Sequence, residues 1–148
     1  KGAKMSLFTN SLIVSPLSDG KNWVIRLDFT YCIGYENSDS KITVPSGFVT
    51  DFASVPLFLR KFLPVWDVYG NAAVLHDYLY WSGIKSRKES DDIFLEAMEV
   101  LNVPFIKKYI LYIGVRLFGW TSYKKSHKNL MRLSKKKKTI CEIISEKI

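Results

Sequence analysis

Apolar and polar residues alternate strictly between positions 22 and 31. Trp23, Ile25, Leu27, Phe29 and Tyr31 interleave with Asn22, Val24, Arg26, Asp28 and Thr30, the period of a half-buried β-strand. Shorter strand candidates cover residues 11–14 and 41–44. They are set off by the turn-forming stretches Ser18-Asp19-Gly20 and Asn37-Ser38-Asp39-Ser40. Together these segments predict a small antiparallel sheet.

From about Ala53 the period lengthens. Pro56 and Pro64 bracket a short apolar stretch that reads as a helix. Ala72, Ala73, Leu75, Leu79 and Tyr80 then mark a helix over residues 68–82, and Phe94, Leu95, Met98 and Leu101 mark another over 87–101. Gly83 suits the end of the first and a serine of the connecting segment suits the start of the second, so the pair folds back as a tight hairpin. Pro104 fits the opening turn of a last helix and Gly119 its stop. Phe105, Tyr109, Ile110, Tyr112, Ile113, Leu117 and Phe118 wrap most of that helix, which reads as core. Lys107, Lys108, Arg116 and Trp120 leave a membrane or a partner protein as the rival reading. The fold class expected is α+β: a single domain over residues 5–120, then a basic extension over 121–148, partly helical or disordered. No internal repeat is visible.

Composition narrows the function classes. The chain has 148 residues, 47% of them hydrophobic, enough for one domain with its own core. Lys1-Gly2-Ala3-Lys4 ahead of Met5 reads as an added or upstream extension. No signal peptide is recognised, and Lys107, Lys108 and Arg116 interrupt the best apolar run, so no spanning helix is expected. The expected location is the cytoplasm of a bacterial host or a phage particle. Cys32 and Cys141 suggest neither a disulfide framework nor a zinc knuckle, and with His76 and His127 alone, a metal site must lean on oxygen ligands. The net charge of +8 is local, because residues 123–139 hold eight Lys or Arg and no acid. An anionic membrane surface, nucleic acid or an acidic host or phage protein would suit this tail. A solvated solubilising segment is the plainer alternative.

Candidate chemistry concentrates at His76-Asp77-Tyr78-Leu79-Tyr80 and, fifteen residues after the histidine, Asp91. His76 and Asp91 are equally far from the hairpin bend, which puts them at one height on facing helices. Helix axes about 8–10 Å apart let an imidazole and a carboxylate meet by one hydrogen bond. Tyr80 lies one turn beyond His76 and can reach Asp91. Asp77 is rotated by about 100°, toward a cation or the chain arriving from Asp51. An aspartate on one imidazole nitrogen fixes the tautomer and raises the basicity of the other, which can then deprotonate water. A buried His-Asp-Tyr staple holding two helices together is the structural alternative. In the join between sheet and helices, Asp51 and Ser54 have the spacing of helix caps. Their functional alternative is an extra carboxylate from Asp51 and a hydrogen-bonding or nucleophilic role for Ser54.

Four stretches carry a resemblance to a phage- and prophage-encoded family of domains of unknown function, DUF1353. They are the segments 45–56 (PSGFVTDFASVP), 72–80 (AAVLHDYLY), 90–94 (SDDIF) and 115–119 (VRLFG), spanning roughly residues 20–120. That likeness implies a phage or prophage origin rather than an activity. More distantly, the His-Asp-x-x-Tyr helix and its Asp-x-x-Phe partner resemble those of secretory and parvoviral phospholipases. This likeness implies His76 as general base, Asp77 as calcium ligand, Asp91 as the residue orienting the histidine, and Tyr80 as a member of the network. The chain departs from those enzymes in lacking a glycine-rich calcium loop before His76, in lacking disulfides, and in the shorter interval to Asp91. The expectation drawn is a small phage-type hydrolase of lipid or other esters. In it His76 and Asp91 form a base dyad, Asp77 with Asp51 binds calcium or another divalent cation, and the tail recruits an anionic target. The rival class is a noncatalytic virion, assembly or host-factor-binding protein.

Overall fold

The computed structural model describes residues 7–35, 38–52 and 68–145; side chains at 127 and from 129 onward are not described. The predicted helix between Pro56 and Pro64, and with it Ser54, lies outside the described residues.

Among the described residues six strands run β1 (Leu7–Phe8), β2 (Val14–Pro16), β3 (Trp23–Ile25), β4 (Phe29–Cys32), β5 (Lys41–Val44) and β6 (Val49–Thr50). They form two three-stranded antiparallel sheets, ordered β1-β4-β5 and β2-β3-β6. The single strand expected over residues 22–31 is therefore two strands in different sheets. The alternation fails at Leu27, which is exposed while Ile25, Phe29 and Tyr31 are buried. Around the break, the Asp28 carboxylate accepts the Ser46 N–H at 2.6 Å and the Asp28 carbonyl accepts from the Asn10 amide. A polar corner thus interrupts the ladder.

Of the shorter strand candidates, 41–44 forms as β5, whereas 11–14 overlaps β2 at Val14 alone. Phe29 pairs with Val44 and Tyr31 with Ile42, and all four side chains enter the core.

Among the described residues three helices follow: α1 (Gly70–Ser82), α2 (Arg87–Val100) and α3 (Phe105–Ser145). Gly83 ends α1 with φ of 64° and returns its N–H to the Leu79 carbonyl at 3.0 Å, a left-handed cap that glycine adopts without steric cost. Ser86 starts α2 with a reciprocal capping box: its hydroxyl accepts the Glu89 N–H, and the Glu89 carboxylate accepts the Ser86 N–H. α1 is buried over nearly its whole length, from Ala72 through His76 and again at Leu79 and Tyr80. It packs against α2, α3 and strand β6, which explains why its apolar residues are not confined to one stripe. Tyr31 of β4 donates to Glu96 of α2 at 2.9 Å, tying sheet to helix.

Gly119 does not end α3, which continues to Ser145. The glycine answers a packing need instead: a methyl group there would lie 2.6 Å from the Tyr80 hydroxyl. The core reading of α3 also needs correction. Leu111 and Val115 are buried, but Phe105, Ile110, Ile113, Leu117 and Phe118 are exposed, so only one face enters the core.

Gly119→Ala should lower stability by roughly 1–3 kcal/mol through overpacking, measured by denaturant unfolding. In a Tyr80→Phe background the added cost of the same change should shrink, because the nearest clashing atom is gone.

Candidate functional site

The hairpin brings His76 and Asp91 together. His76 Nε2 lies 2.8 Å from Asp91 Oδ1, and both side chains are 0% exposed. The Tyr80 hydroxyl donates to the same oxygen at 2.6 Å. Sequence reasoning missed the second half of the network: Arg116 of α3 donates to Asp91 Oδ2 at 2.8 Å. Arg87 stands 3.8 Å from that oxygen and also donates to the Val115 and Arg116 carbonyls. Arg87 precedes Asp91 by one helical turn, so its spacing was a signal. Arg116 lay within a recognised motif, but nothing local linked it to a carboxylate twenty-five residues earlier. Asp91 is thus a hub joining all three helices.

Electrostatics fix the protonation pattern. Burial pushes the His76 imidazolium to a pKa below its ordinary 6.5, outweighing the pull of Asp91. Burial raises Asp91, but hydrogen bonds from His76, Tyr80 and Arg116 outweigh it and hold the carboxyl below 3.8. For Tyr80, burial and the bond to Asp91 push the phenol upward, so it stays a donor. Neutral His76 therefore carries its proton on Nε2, facing an ionised carboxylate, and presents a lone pair at Nδ1. That Nδ1 is buried and has no hydrogen-bond partner among the described residues. A buried acceptor left bare costs about 1–3 kcal/mol. Tyr80 and Phe94 pack on the ring, with centroids 4.1 and 4.8 Å away.

Asp77 points away from this network, as the helical rotation predicts. Its Oδ2 accepts the Thr50 hydroxyl, whose oxygen in turn accepts the Phe52 N–H at 3.1 Å. Phe52 is buried with φ of 52°, a left-handed backbone costing a bulky residue of order 1–3 kcal/mol. Asp51 sits between Thr50 and Phe52 and lines, with Asp77, a cavity of about 220 Å³. Tyr80, Phe48, Trp81, Asn22 and Lys125 complete most of its wall. His76 and Asp91 do not line it.

Among the described residues no group of three or more His, Cys, Asp or Glu gathers as a metal site. Asp77 and Asp51 supply two carboxylates on the cavity wall, and Asp77 also accepts the Thr50 hydroxyl. Cys32 is free and buried, and no helix among the described residues is long and apolar enough to cross a membrane.

Fold and network together define an α+β protein with three helices knotted around one buried carboxylate. The chain belongs to the DUF1353 family, described as a protein of unknown function, which matches residues 23–115. It is similar to the uncharacterized protein y4iH of Sinorhizobium fredii (strain NBRC 101917 / NGR234), 29% identical over 120 residues. The match covers 76% of this chain and 47% of that relative, so the chain spans about half the length of the curated relative it matches. No solved structure matches the chain.

The folded state holds His76 neutral and Asp91 ionised, whereas the unfolded chain takes up protons more readily at both. Stability should therefore be full above the ordinary histidine value of 6.5 and decline as pH falls below it. A further loss should follow below 3.8, as Asp91 protonates. Thermal melts across this range should show both phases, and His76→Gln should remove the first. Asp91→Asn should cost on the order of 3 kcal/mol by leaving Arg116 facing a neutral partner.

Proposed function

We propose that this protein is a small hydrolase of phage or prophage type, acting on ester bonds, with His76 as general base and Asp91 as the residue that orients it. The observation carrying this reading is the bare Nδ1 of His76. One nitrogen is committed to Asp91 and the other is left as an unsatisfied acceptor, the state a base needs before it meets water or a nucleophile.

In this mechanism Nδ1 takes a proton from an attacking water, and Asp91 stabilises the resulting imidazolium. Tyr80 keeps Asp91 from rotating. The adjoining cavity receives the substrate, with Trp81 and Phe48 against its apolar part and Lys125 or Asn22 as donors to the carbonyl. The attack forms a bond from the water oxygen to the ester carbon, and the proton held on His76 passes to the departing alkoxide. Asp77 and Asp51 shape the cavity floor. The likeness of the His-Asp-x-x-Tyr helix to phospholipases supports these roles and favours lipid esters among the substrates.

Water must reach Nδ1 for this chemistry. Tyr80 touches both the cavity and Asp91, and with His76 fully buried the surroundings of the imidazole have to open. Complete burial of His76 and Asp91 favours a second reading, in which the network is a structural staple of a noncatalytic phage assembly or host-binding protein. An orphaned acceptor is harder to explain there, because a staple gains nothing from it.

The full chain, assayed against short-chain esters and phospholipids with and without calcium, should hydrolyse at least one class. His76→Asn should reduce that rate by about 10²–10⁴-fold while near-ultraviolet circular dichroism stays native. An inactive wild type, or a folded His76→Asn variant with full activity, would leave the staple as the sole reading.

A further inference from the structure

α3 carries a second apolar face that the fold does not cover. Ile106, Ile110, Ile113, Leu117 and Trp120 recur at steps of four, three, four and three residues and form one continuous stripe. They are 74%, 42%, 53%, 67% and 52% exposed. The core-facing residues Leu111 and Val115 lie on the opposite side of the helix, so the stripe points away from α1 and α2. An exposed run of isoleucine, leucine and tryptophan this regular is a docking surface rather than scattered surface apolarity.

Charge decides what docks there. From Phe105 to Cys141 the helix has eleven Lys or Arg and no Asp or Glu. The stripe's next positions are Lys124 and Lys128, both exposed, and the Lys124 ammonium sits 4.3 Å from the Trp120 ring centroid. Apolar residues therefore pass into cations on one face, with an amphipathic indole at the junction. A second copy of the same helix would bring cation against cation, with no acid between Phe105 and Cys141 for the flanking pairs that stabilise coiled coils. Nucleic acid would use the cations but not the apolar stripe. An anionic bilayer uses both: acyl chains take up the isoleucines and leucine, headgroups attract the lysines, and tryptophan suits the boundary.

We propose that the outward face of α3 docks this protein in the plane of an anionic lipid bilayer, by shallow insertion of Ile106, Ile110, Ile113, Leu117 and Trp120. The inference stands on α3 alone and holds whether or not His76 is a base.

Vesicle flotation of the full chain tests it, with vesicles of phosphatidylcholine alone or mixed with phosphatidylglycerol. The protein should float with the anionic vesicles, remain behind with phosphatidylcholine, and be released by high salt. Ile113→Ser with Leu117→Ser should weaken anionic binding roughly tenfold or more, with the thermal midpoint unchanged because both side chains are solvent-exposed. Lys124→Glu with Lys128→Glu should weaken it too, through the headgroup term. Equal binding to both vesicle types, unchanged binding by the serine variant, or no vesicle binding would each overturn the proposal. Sedimentation showing self-association that the serine substitutions abolish would assign the stripe to a second copy instead.

Discussion

A carboxylate at the centre of three helices has to be compensated where water cannot reach it, and much of this structure follows from how Asp91 meets that demand. Its two oxygens take donors from His76 and Tyr80 on α1 and from Arg116 on α3, with Arg87 of its own helix close by. An uncompensated charge in that position would cost several kcal/mol, so the helices are held in the one arrangement that delivers all these donors. Gly119 belongs to the same constraint. α3 passes close over the Tyr80 hydroxyl that bonds Asp91, and at that crossing there is no room for a side chain.

The network is balanced except at one atom. His76 Nδ1 faces no partner among the described residues, although the rest of the cluster is arranged to satisfy every polar group. On the other side of α1, Thr50 couples the sheet β2-β3-β6 to Asp77 and supports the strained backbone at Phe52. These two features frame α1: a buried network on one side and a cavity of mixed polarity on the other, with Tyr80 belonging to both. The strained backbone at Phe52 is tied to α1 through Thr50 and Asp77, and the unsatisfied acceptor sits on the preceding residue of the same helix. The outer face of α3 is a separate matter, since its exposed stripe shares no side chain with either feature.

Much of the helical half was legible in the residues. Gly83 and Ser86 are local signals whose effect depends on a few neighbouring backbone groups, and both helix ends fall where those signals put them. The meeting of His76 with Asp91 was legible as well, because a hairpin with a known bend converts sequence distance into height. Tyr80 followed from its position one turn on. The sheet was read less well. Alternation predicts a strand but says nothing of which sheet it joins, and the corner at Leu27 and Asp28 depends on bonds to Asn10 and Ser46 from elsewhere in the chain.

By itself, the sequence determined the α+β class, the hairpin, and the pairing of an imidazole with an acid across it, because each rests on short-range periodicity and turn chemistry. Tertiary structure alone decided that Arg116 completes the carboxylate's shell, that Gly119 serves close packing rather than helix termination, and that α3 buries one face and exposes the other. Those outcomes depend on which surfaces of distant segments come into contact. A glycine or an arginine looks the same in sequence whether it caps a helix, faces water or meets a buried charge; only the neighbour that packing supplies distinguishes them.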